Sequence, residues 1–135
     1  MKVRYMLDTN ICIYIAKHQP AEVRRHFERL KPGQVVMSAI THGELYYGAC
    51  KSNQRTRALA QLEELIQDIP VEELGSTAAQ AYGEVRTALE KQGRTIGNND
   101  LWIGAHALAL GLTLATNNER EFKRITELAV ENWTN

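Results

Sequence analysis

The sequence predicts an α/β domain with a central, mostly parallel sheet flanked by helices. Short apolar segments that favour strands alternate with segments of helical periodicity along the chain, a pattern typical of parallel sheets. The chain has 135 residues, which is enough for one domain with a substantial core. Hydrophobic residues make up 44% and charged residues 24%, as in a globular protein. We therefore expect residues 1–135 to form a single domain.

The first part of the chain alternates strand and helix. Residues 3–7 are short and β-prone, and they predict a first strand that ends at Asp8. The next residues form a polar cluster typical of a turn or helix cap, so 10–17 is predicted as a short helix. Apolar residues at helical spacing predict a second helix over 21–30, and 34–38 is predicted as the second strand.

The middle of the chain adds two helices and a short strand. A helix is predicted to begin near Thr41, and Glu44 in its first turn fits the capping-box pattern of Thr followed three residues later by Glu. Leucines on one face predict a helix over 54–66. A short third strand over 69–71 is expected at an edge of the sheet.

The last part of the chain contains the clearest helical periodicity, followed by a polar turn that ends in Asp100. A polar loop is expected at 117–119, between the last two strands. The predicted elements here are a helix over 76–92, a helix over 101–110, a fourth strand over 112–116 and a final edge strand over 128–133.

Charge and cysteine content restrict the classes of function. Lys plus Arg and Asp plus Glu number 16 each, so the net charge is zero and gives no argument for a nucleic-acid partner. The sequence shows no signal peptide and no apolar run of membrane-spanning length, which predicts a cytoplasmic protein without a membrane partner. Cys12 and Cys50 make no disulfide framework, and the four histidines show no zinc spacing.

Three carboxylates fall near the ends of predicted parallel strands. Asp8 follows the first strand, Glu44 lies early in the helix after the second, and Asp100 opens the helix that leads to the fourth. Ligand sites of open parallel sheets form outside the carboxyl ends of the strands, so these acids are expected to share one crevice. Clustered carboxylates repel one another unless a cation is bound. Mg²⁺ or Mn²⁺ prefers oxygen ligands of this kind.

Each of these acids also has an ordinary structural explanation. Asp8 suits a turn, Glu44 suits a capping box, and Asp100 suits a helix N-terminus. For a single acid the structural role is the commoner one, but three such coincidences on one predicted edge are less common, so a metal site and three separate structural roles are left as equal alternatives. If Asp100 binds a metal, Asn99 is available to cap the helix.

Four blocks of residues stand out in order along the chain: 5–10 (YMLDTN), 38–49 (SAITHGELYYGA), 96–103 (IGNNDLWI) and 115–122 (ATNNEREF). Together they resemble the PIN-domain ribonucleases, and within them the VapC toxins of bacterial VapBC toxin–antitoxin modules. The resemblance covers essentially the whole chain and implies a PIN-like three-layer fold. It also implies an endoribonuclease that depends on Mg²⁺ or Mn²⁺. Its catalytic acids would be Asp8, Glu44 and Asp100, with the two aspartates as the principal metal ligands.

The chain departs from the family pattern at one place. Many PIN domains carry a fourth acid just after the last core strand, in a T-x-D pattern that ends here in Asn118. Asn118 can offer a carbonyl oxygen but no charge. Glu121 or Glu119 can supply a charge at the same place instead. Whether a second metal ion binds is therefore left open. The hydroxyls of Thr9 and Thr116 are further candidates for orienting water or phosphate, with ordinary turn or strand-end roles as the alternative.

The resemblance also implies a substrate and partners. VapC toxins of this kind resemble enzymes that cut structured RNA, which suggests tRNA, with the anticodon stem-loop of initiator tRNA as the most specific expectation. Tyr46, Tyr47 and Trp102 are candidates for base stacking, with core packing as the alternative for Trp102. A VapB-like antitoxin is expected to lay its C-terminal segment across the active-site groove, and the toxin is expected to be a homodimer.

The sequence leaves two other functions open. Haloacid-dehalogenase-like phosphatases also place an Asp after the first strand, but they use D-x-D, and the second position here is Asn10. A non-catalytic RNA-binding or assembly module on the same fold is the second alternative, with Asn118 as the one feature in its favour. The nuclease interpretation predicts in-line attack of water on phosphorus, which leaves 5′-phosphate and 3′-hydroxyl ends.

Overall fold

The computed structural model describes residues 2–135 and contains a central sheet of five parallel strands. Within this range, seven helices accompany the strands. In chain order the elements are β1 (Tyr5–Leu7), α1 (Thr9–Ala16), α2 (Ala21–Glu28), β2 (Val35–Ser38), α3 (Ala39–Cys50), α4 (Arg55–Asp68), β3 (Val71–Glu72), α5 (Ser76–Lys91), α6 (Asn98–Leu110), β4 (Thr113–Thr116), α7 (Glu119–Phe122) and β5 (Val130–Asn132). The predicted α/β fold is confirmed, and the predicted final strand corresponds to β5.

The sheet has the strand order β3-β2-β1-β4-β5. β1 pairs with β2 on one side, where Tyr5 lies beside Val35, and with β4 on the other, where Tyr5 lies beside Thr113. The chain therefore runs outward in one direction from β1 to β3 and in the other from β4 to β5. This makes the boundary between β1 and β4 the switch point of the topology, where open parallel sheets place their ligand sites.

Alternate side chains of the central strands enter two separate cores. Met6 and Leu114 pack on one face of the sheet with Ile103 of α6, whereas Leu7 packs on the other face with Ile11 of α1. Both faces of the sheet are covered by helices, which explains why β1 and β2 carry nearly continuous apolar residues. The result is the three-layer arrangement that the family resemblance implies.

Three features of the helices differ from the sequence prediction. α3 begins at Ala39 rather than near Thr41, because Ser38 caps it by accepting a hydrogen bond of 3.1 Å from the backbone N–H of Ile40. α6 begins at Asn98, three residues earlier than predicted. The helix α7 begins at Glu119, the last residue of the predicted loop, and was not predicted, because four residues are too few to show periodicity in the sequence.

Two further features of the structure concern the cysteine thiols and the apolar character of the helices. Cys12 and Cys50 are free thiols, and Cys12 is buried in the core. Within residues 2–135, no helix combines the length and the apolar character needed to cross a membrane.

Candidate active site

Asp8 and Thr116 meet at the carboxyl ends of the two central strands. Asp8 directly follows β1 and Thr116 is the last residue of β4, so the pair spans the switch point of the sheet. Thr116 Oγ1 donates a hydrogen bond to Asp8 Oδ2, and the backbone N–H of Ile11 donates to Asp8 Oδ1 at 2.9 Å. Asp8 therefore caps α1, and each of its oxygens can still accept a further ligand.

The environment of Asp8 is unfavourable for an isolated negative charge. The residue is only 4% exposed, and burial raises the pKa of Asp8 to about 6. The hydrogen bonds from Thr116 and Ile11 lower this pKa in part, whereas the charges of Asp100 and Glu44 raise it further. Two of the other acids predicted from the sequence, Asp100 and Glu44, therefore act on the charge of the Asp8 carboxyl group.

Glu44 is held by a side chain of α1. It is the sixth residue of α3 and lies in the second turn, because the helix begins earlier than predicted. Thr9 Oγ1 donates a hydrogen bond of 2.6 Å to Glu44 Oε1, and it also lies 3.2 Å from Thr41 Oγ1. The predicted capping box between Thr41 and Glu44 is wrong, because Ser38 occupies the capping position.

Asp100 lies inside the first turn of α6 rather than before it. Gly97, which has no side chain to offer a capping hydrogen bond, is the N-cap of this helix. The predicted capping role of Asp100, or of Asn99 in its place, is therefore wrong. Burial raises the pKa of Asp100, and the charges of Glu121 and Glu44 raise it further. Asp100 is thus half-buried, and the charges of two other acids oppose its ionisation.

Glu121 of α7 is a fourth acid that acts on this group. Its charge raises the pKa of Asp100. Glu119 has other partners, since its Oε2 lies 3.2 Å from Lys123 Nζ. Of the two glutamates that the sequence offers in place of a T-x-D acid, only Glu121 acts on the pKa of Asp100.

Asn118 contributes to the edge through its backbone. Its N–H donates a hydrogen bond of 2.8 Å to Thr116 Oγ1. The Thr116 hydroxyl accepts this bond and directs its own proton to Asp8. Asn118 and Thr116 together therefore fix the orientation of the Asp8 carboxylate.

The four acids at this edge have no cationic partner in the described part of the chain. Among residues 2–135, the ion pairs within 4.0 Å involve none of them. Nor does this range contain a three-residue cage, meaning three His, Cys, Asp or Glu side chains placed so that together they could hold a metal ion. Mg²⁺ does not need such a cage, because it usually binds through one or two carboxylates and keeps several waters. The all-carboxylate donor set fits a hard divalent cation better than zinc.

Comparison with known proteins places the chain in a family. Residues 5–128 match the PIN domain family. The chain belongs to the PIN-domain family. It is 42% identical over 131 residues to Ribonuclease VapC2 of Haemophilus influenzae, covering 97% of this chain and 98% of that protein. It is also 42% identical over 132 residues to the tRNA(fMet)-specific endonuclease VapC of Shigella flexneri, covering 98% and 99%. The solved structure of VapBC-1 from nontypeable Haemophilus influenzae matches with a TM-score of 0.90 and 42% identity over 100% of both chains.

The family match separates this PIN domain from the haloacid-dehalogenase-like phosphatases. Those enzymes carry a second Asp at the position of Asn10. The Asn10 amide instead donates a hydrogen bond of 3.2 Å to Asn117 Oδ1, which joins α1 to the loop after β4. In this PIN domain Asn10 therefore links the two segments that flank the switch point.

The aromatic residues considered for base stacking differ in accessibility within this PIN domain. Tyr46 and Tyr47 of α3 are 44% and 65% exposed. Trp102 stacks on Tyr82, with ring centroids 3.7 Å apart and planes 10° from parallel. Packing between helices accounts for Trp102, whereas the two tyrosines of α3 are accessible to a ligand.

Three buried polar residues near the site were not predicted: Ser38, Thr41 and His106. Thr41 contacts Thr9, and its position one helical turn before Glu44 was a usable signal. Ser38 also had a signal, as a serine at the junction of a strand and a helix. His106 had none, because its partner Ser38 is 68 residues away in the sequence.

Proposed function

We propose that this PIN domain is a metal-dependent endoribonuclease and the toxin of a type II toxin–antitoxin pair. The observation that carries the proposal is the acidic edge at the β1–β4 switch point, where the buried Asp8 has a pKa raised by burial and by the charges of Asp100 and Glu44 and forms no ion pair among residues 2–135. Such an edge favours a divalent cation and, through it, a phosphate. The ribonuclease and endonuclease names of the relatives support the same class of reaction.

Mg²⁺ or Mn²⁺ is the proposed cofactor. Asp8 and Asp100 would hold it as the principal ligands, with Glu44 and Glu121 beside them. The ion, when bound, lowers the pKa of a coordinated water and stabilises negative charge on a phosphate. The carboxylate donors and the raised pKa values of Asp8 and Asp100 support this choice, because a cation removes the repulsion among the acids.

The neighbouring donors hold the acids in fixed orientations for this reaction. Thr116 and the N–H of Ile11 bind opposite oxygens of Asp8, so its carboxylate is held at both ends. Thr9 binds one oxygen of Glu44 and leaves the other available to accept a hydrogen bond from water. Acids held in this way can orient a water for in-line attack on phosphorus. The expected products carry 5′-phosphate and 3′-hydroxyl ends.

A tRNA is the proposed substrate, and the anticodon stem-loop of initiator tRNA is the specific candidate. The relative from Shigella flexneri that is named for tRNA(fMet) aligns over nearly the whole chain. A loop with unstacked bases suits Tyr46 and Tyr47, which are exposed on the same helix as Glu44. Cleavage of this tRNA would inhibit translation and would take place in the cytoplasm.

A VapB-like antitoxin is the proposed partner. The matching structure from Haemophilus influenzae is that of VapBC-1, which supports a partner of this kind. An edge with four acids favours a basic side chain from the antitoxin's C-terminal segment, because charge-assisted hydrogen bonds to carboxylates are strong. We also propose the homodimer that the family resemblance implies.

Cleavage of purified total tRNA tests the proposed function. We expect discrete fragments in the presence of Mg²⁺ or Mn²⁺ and intact tRNA in the presence of EDTA. The new ends should be a 5′-phosphate and a 3′-hydroxyl. Cleavage that survives EDTA, or fragments that end in a 2′,3′-cyclic phosphate, would contradict metal-dependent hydrolysis. Binding of tRNA without any cleavage would favour the non-catalytic RNA-binding alternative.

Replacing Glu121 by Gln tests whether the fourth acid takes part in metal binding. We expect Glu121→Gln to raise the Mn²⁺ concentration for half-maximal tRNA cleavage by about tenfold, as for residues that support metal ligands. Glu119→Gln is the matched control, because Glu119 pairs with Lys123 instead of approaching Asp100. Equal effects of the two changes would show that Glu121 has no special role.

A further inference from the structure

A buried polar contact joins the two helices that carry Glu44 and Asp100. His106 of α6 is 1% exposed, and its Nδ1 lies 2.8 Å from Ser38 Oγ. Ser38 is fully buried, ends β2 and caps α3. Asp100 precedes His106 on α6, and Glu44 follows Ser38 on α3. The contact therefore connects the supports of two acids that are far apart in the sequence.

The neighbours of the two side chains define the hydrogen-bond roles. Ser38 Oγ already accepts the backbone N–H of Ile40, so its own proton is available for Nδ1 of a neutral imidazole. Burial lowers the pKa of His106, which favours the neutral ring at pH 7. The backbone carbonyl of Glu73 and the charge of Glu72 oppose this effect in part. The neutral ring of His106 thus accepts a hydrogen bond from the Ser38 hydroxyl, the same group that caps α3.

The strand pairing places a third element at this contact. Ser38 of β2 lies beside Glu72 of β3, and Glu73 follows directly. His106 therefore faces the end of β2, the end of β3 and the start of α3 together. Displacement of α3 relative to α6 would break a buried hydrogen bond, which is costly when its partners cannot reach water.

We propose that His106 is a positioning residue that acts through Ser38 to set the position of Glu44 relative to Asp100, and thereby the affinity of the acidic edge for a divalent cation. This inference rests on the proposed metal site. A role in core packing alone makes a different prediction. It would lower the stability of the fold without a specific change in ion affinity.

Mn²⁺ binding to the full chain, measured from the electron paramagnetic resonance signal of free Mn²⁺ without RNA, tests the inference. His106→Leu keeps a similar volume and removes both ring nitrogens, and we expect it to weaken Mn²⁺ binding by about tenfold. His106→Asn keeps a polar atom near the position of Nδ1 and should recover most of that loss. Leu89→Ala is the stability control, because it empties part of the core shared with α6 and leaves the contact intact.

The comparison with Asp100→Asn separates failure of this inference from failure of the proposed function. If the unmodified chain binds Mn²⁺ and Asp100→Asn does not, normal binding by His106→Leu overturns the positioning role alone. The same follows if Leu89→Ala weakens binding as much as His106→Leu does. If the unmodified chain binds no Mn²⁺, or Asp100→Asn binds equally well, the metal site and the inference both fail.

Ser38→Ala keeps the test decisive if His106→Leu does not fold. It removes the hydrogen bond to His106 from the other partner, together with the cap of α3, and should weaken Mn²⁺ binding at least as much. Normal Mn²⁺ binding by a folded Ser38→Ala protein would overturn the inference. If the double variant folds, the two losses should be less than additive, because the hydrogen bond between His106 and Ser38 can be lost only once.

Discussion

Replacing Asp100 by Asn is expected to reduce tRNA cleavage by on the order of a thousandfold, because a lost metal ligand removes several kcal/mol of charge stabilisation. The fold should be retained. Burial raises the pKa of Asp100, so removal of its charge relieves an electrostatic cost. Initial rates of tRNA cleavage in Mn²⁺, together with the thermal midpoint by circular dichroism, measure the two expectations.

The chain provides a matched control for this change. Asp68 is exposed and ends α4, with two residues between it and the start of β3, which places it toward the opposite edge of the sheet from the acids. Asp68→Asn should therefore cleave tRNA at the unmodified rate. A rate for Asp100→Asn within about tenfold of the unmodified protein would be incompatible with a principal metal ligand.

Replacing Asp8 by Asn is expected to stabilise the metal-free protein by about 1–3 kcal/mol near neutral pH. Burial raises the pKa of Asp8 to about 6. Above that pH the folded chain must keep a buried charge that the unfolded chain exposes to water. The asparagine carbonyl can still accept the Ile11 N–H, so the cap of α1 is retained. Urea unfolding in EDTA measures the difference in the free energy of unfolding.

The pH dependence of this difference has a defined sign. The folded-state pKa of Asp8 lies above the unfolded value, so its contribution to stability is fully present below the unfolded pKa. That contribution is lost as the pH rises through about 6. The stability gain of Asp8→Asn should therefore be small near pH 4 and complete above about pH 7. A gain that is larger at the acidic end would show that Asp8 is not a destabilising buried charge.

The sheet and the position of its acidic edge could be predicted because they depend on local patterns. Apolar strands alternate with periodic helices, and parallel strands must place their following segments at one edge. Asp8 could be placed directly, because it follows a short apolar strand. The pairing of Asp8 with Thr116 could not be predicted in this way, because it depends on β1 and β4 being neighbours in the sheet.

The helix starts could not be predicted reliably. Ser38 and Thr41 are both good N-cap residues, and only the point where β2 ends selects between them. Gly97 carries a weak cap signal beside Asn99 and Asp100, so the start of α6 was placed too late. An early start moves Glu44 into the second turn and Asp100 into the first, which changes what each side chain contacts.

The positions of Glu121 and His106 depend on contacts that the sequence does not display. Glu121, whose charge acts on Asp100, lies in the short helix α7, which has no periodic pattern. His106 lies in an apolar helix, where a histidine is commonly a satisfied core residue. Its contact with Ser38 follows from the packing of α6 against β2 and α3.

Anomalous diffraction from crystals grown with Mn²⁺ would test most directly that the acidic edge holds the divalent ion. We predict a strong peak within about 2.5 Å of carboxylate oxygens of both Asp8 and Asp100. The crystals should contain Mn²⁺ at a concentration that supports tRNA cleavage. A well-occupied peak elsewhere, with none at the β1–β4 switch point, would contradict a metal site at the acidic edge.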